Sequence, residues 1–267
     1  MGRRVRSLAL VALTGVALTA APAAAASPGL GDTCVRPQVS VLPLGVGAGC
    51  PGVRPGSLVR TPLGLCTLNF LFSGNDGARY IGTAGHCLLE GSDETEVAFA
   101  PGLGPPAFEG SGGGVGRRQI GRFAYALADD RFDFALIRLD PGVPAEPSVC
   151  QFGGPTGLDD DPLPLLAGLN HVGQGRLLSN LVPARTQLVL DSDESVIVSV
   201  GLAAPGDSGE PLLHADGRAV GVVAATGPAV LGVAGTGLVF STRLAPQLAK
   251  ASQVTGVAYT LQTAPRG

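Results

Sequence analysis

The sequence has no tryptophan, a single methionine and only three histidines, and just 15% of its 267 residues are charged and 4% aromatic. Charged residues reach little over half of the usual share of about a quarter, and acids outnumber bases 21 to 18, so no basic field is available to attract nucleic acid. With so few histidines and no C-x-x-C pair, a Cys/His zinc site is not expected, nor is any other metal or cofactor. The acidic stretches Asp159 to Asp161 and Asp191 to Glu194 lack EF-hand spacing and read as solvated loops. No repeat of fixed period is present. Beyond the first residues, no apolar run is long enough to span a membrane as a helix.

What remains is a chain rich in small and apolar residues. A hydrophobic share of 45% excludes a disordered tail, and 41 glycines with 22 prolines imply frequent turns without a collagen period. Residues 1–26 have the layout of a secretory signal: Arg3, Arg4 and Arg6, then an apolar stretch from Leu8 to Leu18, then small residues from Ala20 to Ala26 in an A-x-A pattern. Cleavage is expected after Ala26, which makes the mature chain a secreted, extracellular protein without membrane attachment. Export lets disulfides persist, and five cysteines leave at least one unpaired or bonded to another chain, among Cys34, Cys50 and Cys150.

Residues 27–61 are rich in Gly, Pro and Val without a period, and read as an N-terminal lead-in or propeptide, with Arg54 and Arg60 as conceivable processing points. Short strand-like runs follow at Cys66–Phe72, Arg79–Thr83, Glu96–Ala100, Gln119–Ala126 and Phe134–Leu139, separated by Gly, Pro, Asn or Asp. The second half repeats the style at Gln187–Leu190, Ser195–Leu202, Ala219–Ala225 and Leu238–Thr242. One helix is predicted, over Leu244–Val254, stopping before Gly256. The expected fold is therefore all-β with a terminal helix, its lobes at 62–143 and 144–267 joined near the Pro-rich stretch from Asp140 to Pro147.

Three motifs carry chemistry. Thr83-Ala84-Gly85-His86-Cys87 follows a strand, Asp133-Phe134-Ala135-Leu136-Ile137 opens another, and Gly206-Asp207-Ser208-Gly209-Glu210-Pro211 forms a glycine-bounded turn. A hydroxyl is a weak nucleophile near neutral pH, so a base must take its proton and a third group must hold that base in one tautomer. Ser208, His86 and Asp133 are candidates for those roles, and Gly206 lets the backbone turn sharply enough to aim its own N–H and that of Ser208 at one point.

At these residues, over roughly Leu65 to Val254, the sequence resembles the chymotrypsin/trypsin-like serine protease family of secreted bacterial type. TAGHC is similar to the family's T-A-A-H-C, DFAL to its D-I-A-L and GDSGEP to its G-D-S-G-G-P, in the same order. The resemblance implies two antiparallel Greek-key β-barrels with the active site between them, and a Cys66–Cys87 disulfide anchoring the histidine loop. It also implies a serine endopeptidase, a monomer acting on protein or peptide substrates, with Gly206 and Ser208 forming the oxyanion hole. Carried over by position, Leu202 falls at the floor of the substrate pocket and Ala224, Ala225 and Thr226 along its wall. An apolar floor gives a charged side chain no partner, so cleavage after small or apolar P1 residues is expected.

Two departures stand out. Glu210 replaces a glycine of the motif, its direction left open, and the Ile-Val-Gly-Gly mature start is missing, so Asp207 needs another partner such as an internal arginine. Glu210 and Thr226 also motivate a competing reading, a catalytically inactive, protease-like binding module. A lipase or esterase fits poorly, because Glu210 breaks the G-x-S-x-G elbow and His214 is the only histidine after Ser208.

Overall fold

The computed structural model describes residues 52–110, 118–150, 152–173, 184–229 and 236–266. The leader and the cysteines Cys34 and Cys50 lie outside them. Among the described residues no helix is long and apolar enough to cross a membrane.

The first lobe holds β1 (Leu58–Arg60), β2 (Leu65–Thr67), β3 (Leu71–Gly74), β4 (Arg79–Thr83), the short helix α1 (His86–Leu89), β5 (Glu96–Ala98), β6 (Pro106–Glu109), β7 (Gln119–Ala128) and β8 (Asp133–Leu139). The second holds β9 (Gly168–Val172), β10 (Ala184–Ser192), β11 (Val196–Leu202), β12 (Pro211–His214), β13 (Ala219–Ala229) and β14 (Thr236–Arg243). Helix α2 (Leu244–Thr255) and β15 (Tyr259–Leu261) follow.

The second-lobe strands close into an antiparallel barrel in the order β10-β11-β14-β13-β12-β9. The first-lobe strands form a nine-stranded sheet, β15-β3-β4-β8-β7-β6-β1-β2 with β5 added on β7. Its ends are joined by the chain itself, because β2 and β3 are successive pieces of one run bent at Leu68–Phe70. Leu68 N–H bonds Ser57 O on the β1 side, while Asn69 N–H bonds Gly82 O on the β4 side, each at 2.8 Å. The single strand predicted over Cys66–Phe72 is thus split by a bend that lets it serve both edges, which rolls the sheet into a half-barrel.

β8 is buried along almost its whole length, and its two faces meet different cores. Phe134 and Leu136 join a cluster between the lobes with Phe70, Val172, Leu213 and Leu244, whereas Ala135 and Ile137 join the first-lobe core with Ile81 and Phe123. A strand buried on both faces reads as a continuous apolar run, which is how DFALI looks in sequence. The shared cluster locks the lobes together, and burying Phe134 alone is worth about 3–5 kcal/mol relative to alanine.

Pairing crosses two of the expected boundaries. Within the expected lead-in, β1 pairs with both β2 and β6, Val53 bridges Ala145, and Arg54 is wholly buried. Arg54 is therefore no accessible processing point in the folded chain, and a cut at Arg60 would sever β1 from β2. At the other end the second lobe gives back its last strand, for β15 pairs with β3 in the first. Strands β1, β6, β9, β12 and β15, all of three to five residues, had no sequence signal strong enough to mark them. Helix α2 ends where predicted, with Gly256 at φ 72°.

Candidate active site

β4 delivers His86 to the start of α1, and the Cys66–Cys87 disulfide fastens that helix to β2. The next residue of β2, Thr67, reaches across to the second lobe. Its N–H bonds Ser208 O and its hydroxyl bonds Gly206 O, both at 2.8 Å, while Thr83 Oγ1 donates to Thr67 O at 2.8 Å. Two adjacent residues of one strand therefore position both the histidine and the serine loop. Gly206 (φ 102°) and Gly209 (φ 92°) take conformations that L side chains rarely adopt, and a Cβ on Gly209 would stand 2.3 Å from Thr67 O. The carbonyls of Gly206 and Ser208 are thereby tied, whereas their N–H groups donate to no described residue.

Asp133 opens β8 and grips His86 twice: Oδ2 lies 2.6 Å from His86 Nδ1, and Oδ1 accepts the His86 backbone N–H at 2.8 Å. Its own N–H is held at 2.9 Å by Gln247 Oε1 of α2, whose Nε2 donates to Arg243 O at 3.0 Å. The terminal helix thus orients the aspartate. Burial pulls the His86 imidazole down, but the hydrogen bond and charge of Asp133, with Glu90 adding to them, outweigh it and hold His86 above its ordinary value. Asp129, four residues upstream, is a turn aspartate whose Oδ1 accepts the N–H groups of Arg131 and Phe132.

A cleft of about 670 Å³ between the lobes is lined by His86, Asp133, Ser208, Ala224, Ala225 and Thr226, with Phe240 opposite Ala225 and Glu90, Asp129 and Asp130 along its rim. It brings together one residue of each motif, His86, Asp133 and Ser208, with the pocket-wall residues Ala224, Ala225 and Thr226; Gly206 is not in its lining. Leu202 is not in that lining; it ends β11 half-buried, its carbonyl accepting from Arg185 Nη1 at 3.1 Å. The internal arginine expected for Asp207 is Arg185, whose Nη1 meets Asp207 Oδ2 at 2.6 Å. Glu210 does not point to solvent or into the cleft but is fully buried behind the serine loop. Cys150 is disulfide-bonded as well. Gln247 and Thr67 are contributors that sequence reasoning missed.

The sequence matches no family model and no curated protein. Solved structures do match. A glutamic-acid-specific serine protease that uses a histidine triad in substrate binding is 17% identical, with a TM-score of 0.54, covering 78% of this chain and 100% of that one. A Nocardiopsis protease is 15% identical, with a TM-score of 0.53, covering 78% of this chain and 98% of that one. The structural neighbours are chymotrypsin-like bacterial serine proteases, and the chain has their two-barrel fold.

Proposed function

We propose that this protein is a secreted serine endopeptidase, a monomer that hydrolyses protein or peptide substrates in the cleft between its lobes. The observation that carries the reading is the doubly held Asp133–His86 pair sharing one cleft with Ser208 on its glycine-bounded turn. Asp133 accepts the Nδ1 proton, so Nε2 is left as the base that takes the Ser208 hydroxyl proton. Ser208 Oγ then attacks the scissile carbonyl carbon, and the N–H groups of Gly206 and Ser208 receive the oxyanion. Collapse expels the amine, which takes the proton back from His86; a water then repeats the sequence on the acyl-enzyme and frees the acid.

Small or apolar P1 side chains fit the wall best. Thr226 stands opposite Val239 across the β13–β14 ladder, and Ala224 and Ala225 offer no charge. A glutamic-acid-specific neighbour uses a histidine triad in substrate binding, whereas of the three histidines here only His86 lines the cleft. His171 is wholly buried, and His214 lies beside Asp216, outside the cleft.

The test is a fluorophosphonate probe on the secreted protein, with the adduct mapped by mass spectrometry and His86→Ala as control. Labelling of Ser208 that vanishes in the control supports the assignment, and labelling elsewhere or nowhere overturns it. A peptide panel with P1 Ala, Leu, Phe and Arg tests the pocket; fastest cleavage after Arg would sink the preference.

A further inference from the structure

The cleft has two ends of different chemistry. Ala224, Ala225 and Thr226 form an uncharged wall on β13, with Phe240 of β14 opposite Ala225. Thr242 lies two residues further along β14, which puts it on the same face as Phe240 and about 7 Å away. Across the ladders it stands opposite Val196 of β11 on one side and Val222 of β13 on the other. Arg131, from the turn before β8, reaches this end from the first lobe. Its Nε and Nη2 donate to Ser195 Oγ, on the residue preceding Val196, at 2.9 and 2.8 Å. That contact brings the turn that carries Asp129 and Asp130 to the Val196–Thr242 end, and all four residues line the cleft.

This end carries charge that nothing in the cleft balances. Glu90, Asp129 and Asp130 are exposed carboxylates without an ion pair among the described residues, and no lysine or arginine is in the lining. Asp129 uses only Oδ1, for the N–H groups of Arg131 and Phe132. The adjacent cation is turned away, since Arg131 Nη2 lies 3.6 Å from Asp193 of the second lobe. An independent observation points to a ligand at the same place. Thr242 is only 6% exposed, yet its hydroxyl is buried with no hydrogen-bond partner. Such a group costs free energy that a ligand atom recovers by bonding it. Val196 and Phe240 beside it are apolar, so the end combines a greasy floor, one free hydroxyl and a rim of carboxylates. Lysine and arginine have the matching build: a methylene stem that packs on apolar surface and a head that only donates.

We propose that the cleft selects substrates carrying a lysine or arginine at a position other than P1, with the stem on Val196 and Phe240 and the cationic head held by Asp129, Asp130 and the Thr242 hydroxyl. An uncharged P1 side chain and a basic neighbour are compatible, because the wall and the acidic end are separate places in one cleft. Acidic side chains are repelled from the same end. The proposal rests on reading the cleft as a serine peptidase site.

The experiment measures kcat/KM of the secreted protein on internally quenched peptides, with P1 held at whichever of Ala, Leu, Phe or Arg is cleaved fastest. Each position from P4 to P2′ is in turn lysine, norleucine, which keeps the stem without the charge, or glutamate. At one position lysine is expected to exceed norleucine about tenfold at low salt, chiefly through KM, with glutamate slowest. The preference should shrink as salt rises to about 0.5 M. Asp129→Asn combined with Asp130→Asn leaves an amide oxygen to accept from Arg131 and Phe132, and should bring the lysine-to-norleucine ratio close to one. Thr242→Val, which deletes the unpaired hydroxyl, should cut the ratio about threefold, and an unaltered ratio strikes Thr242 from the site. Circular dichroism verifies folding; if the double variant does not fold, Asp130→Asn decides alone. Fluorophosphonate labelling of Ser208 in the same samples separates the two readings. A labelled enzyme that prefers lysine at no position, or cuts none of the peptides, overturns the proposal alone, as does a ratio unaltered in the aspartate variants. Folded wild-type protein that leaves Ser208 unlabelled overturns the peptidase reading, and the proposal with it.

Discussion

Replacing Gln247 with methionine tests whether the terminal helix orients the aspartate of the cleft. The side chain is 1% exposed, and its amide both accepts the Asp133 N–H at 2.9 Å and donates to Arg243 O at 3.0 Å. Methionine fills nearly the same space and removes both bonds, so the buried Asp133 N–H is stranded. Such a group costs about 1–3 kcal/mol, and the freed helix carbonyl adds a little, for a loss of about 2–4 kcal/mol. In a chain of this size each kcal/mol moves the melting temperature by roughly 2–4 °C, which gives a drop of about 4–16 °C. Thermal melts followed by circular dichroism at one scan rate measure it, and fluorophosphonate labelling reports the parallel slackening of the Asp133–His86 pair as a smaller kinact. A melt within about 2 °C of wild type, with unchanged labelling, would refute the idea that α2 holds Asp133.

The cleft and its staples support further expectations. Because His86 is held above its ordinary value and must be neutral to act, the acid limb of the labelling rate should have its midpoint above about 6.5. Glu90→Gln should move that midpoint down, and an unmoved midpoint would remove Glu90 from the electrostatics. The same raised value means that the stability His86⁺ gains from Asp133 is present in full below the unfolded value and is lost as pH rises through the folded one, which paired melts on His86→Ala would detect. Removing both Cys66 and Cys87 by substitution with alanine opens a cross-link between positions 21 apart and should cost about 3 kcal/mol; a melt unchanged from wild type would contradict this. Thr226→Gly should widen the cleft wall and raise cleavage after P1 Phe relative to Ala, and an unchanged ratio would exclude Thr226 from the pocket.

Much of this was legible in the chain, for identifiable reasons. The β4 run RYIGT and the helix stopped by Gly256 carry local signals, one of pattern and one of backbone conformation, and both appear within a residue of their predicted bounds. That His86, Asp133 and Ser208 belong together in one cleft was legible because each sits in a short motif of a recognisable order. Local reading fails where a residue works at long range. Thr67 meets Gly206 across 139 positions and Gln247 meets Asp133 across 114, and nothing in QLAKAS marks one glutamine as an aspartate's partner. Glu210 was visible as a departure from a motif, but its burial follows from His171 and Arg185, which only the barrel register brings opposite each other. The bend in Cys66–Phe72 was hidden because both halves are apolar and extended; only the two different pairing partners reveal it.

The return of β15 to the first lobe has a consequence for how the protein is made. The edge of β3 is covered by Tyr259–Leu261, residues that leave the ribosome after every strand of the second lobe, and the first lobe also waits for Gln247 to fix the start of β8. Until then β3 offers a row of unpaired backbone groups, the kind of edge on which chains aggregate. Synthesis from the N-terminus therefore does not complete one lobe and then the other. The half that carries His86 and Asp133 closes only when the strand beyond the second lobe docks, which couples the ordering of the cleft to synthesis of both lobes.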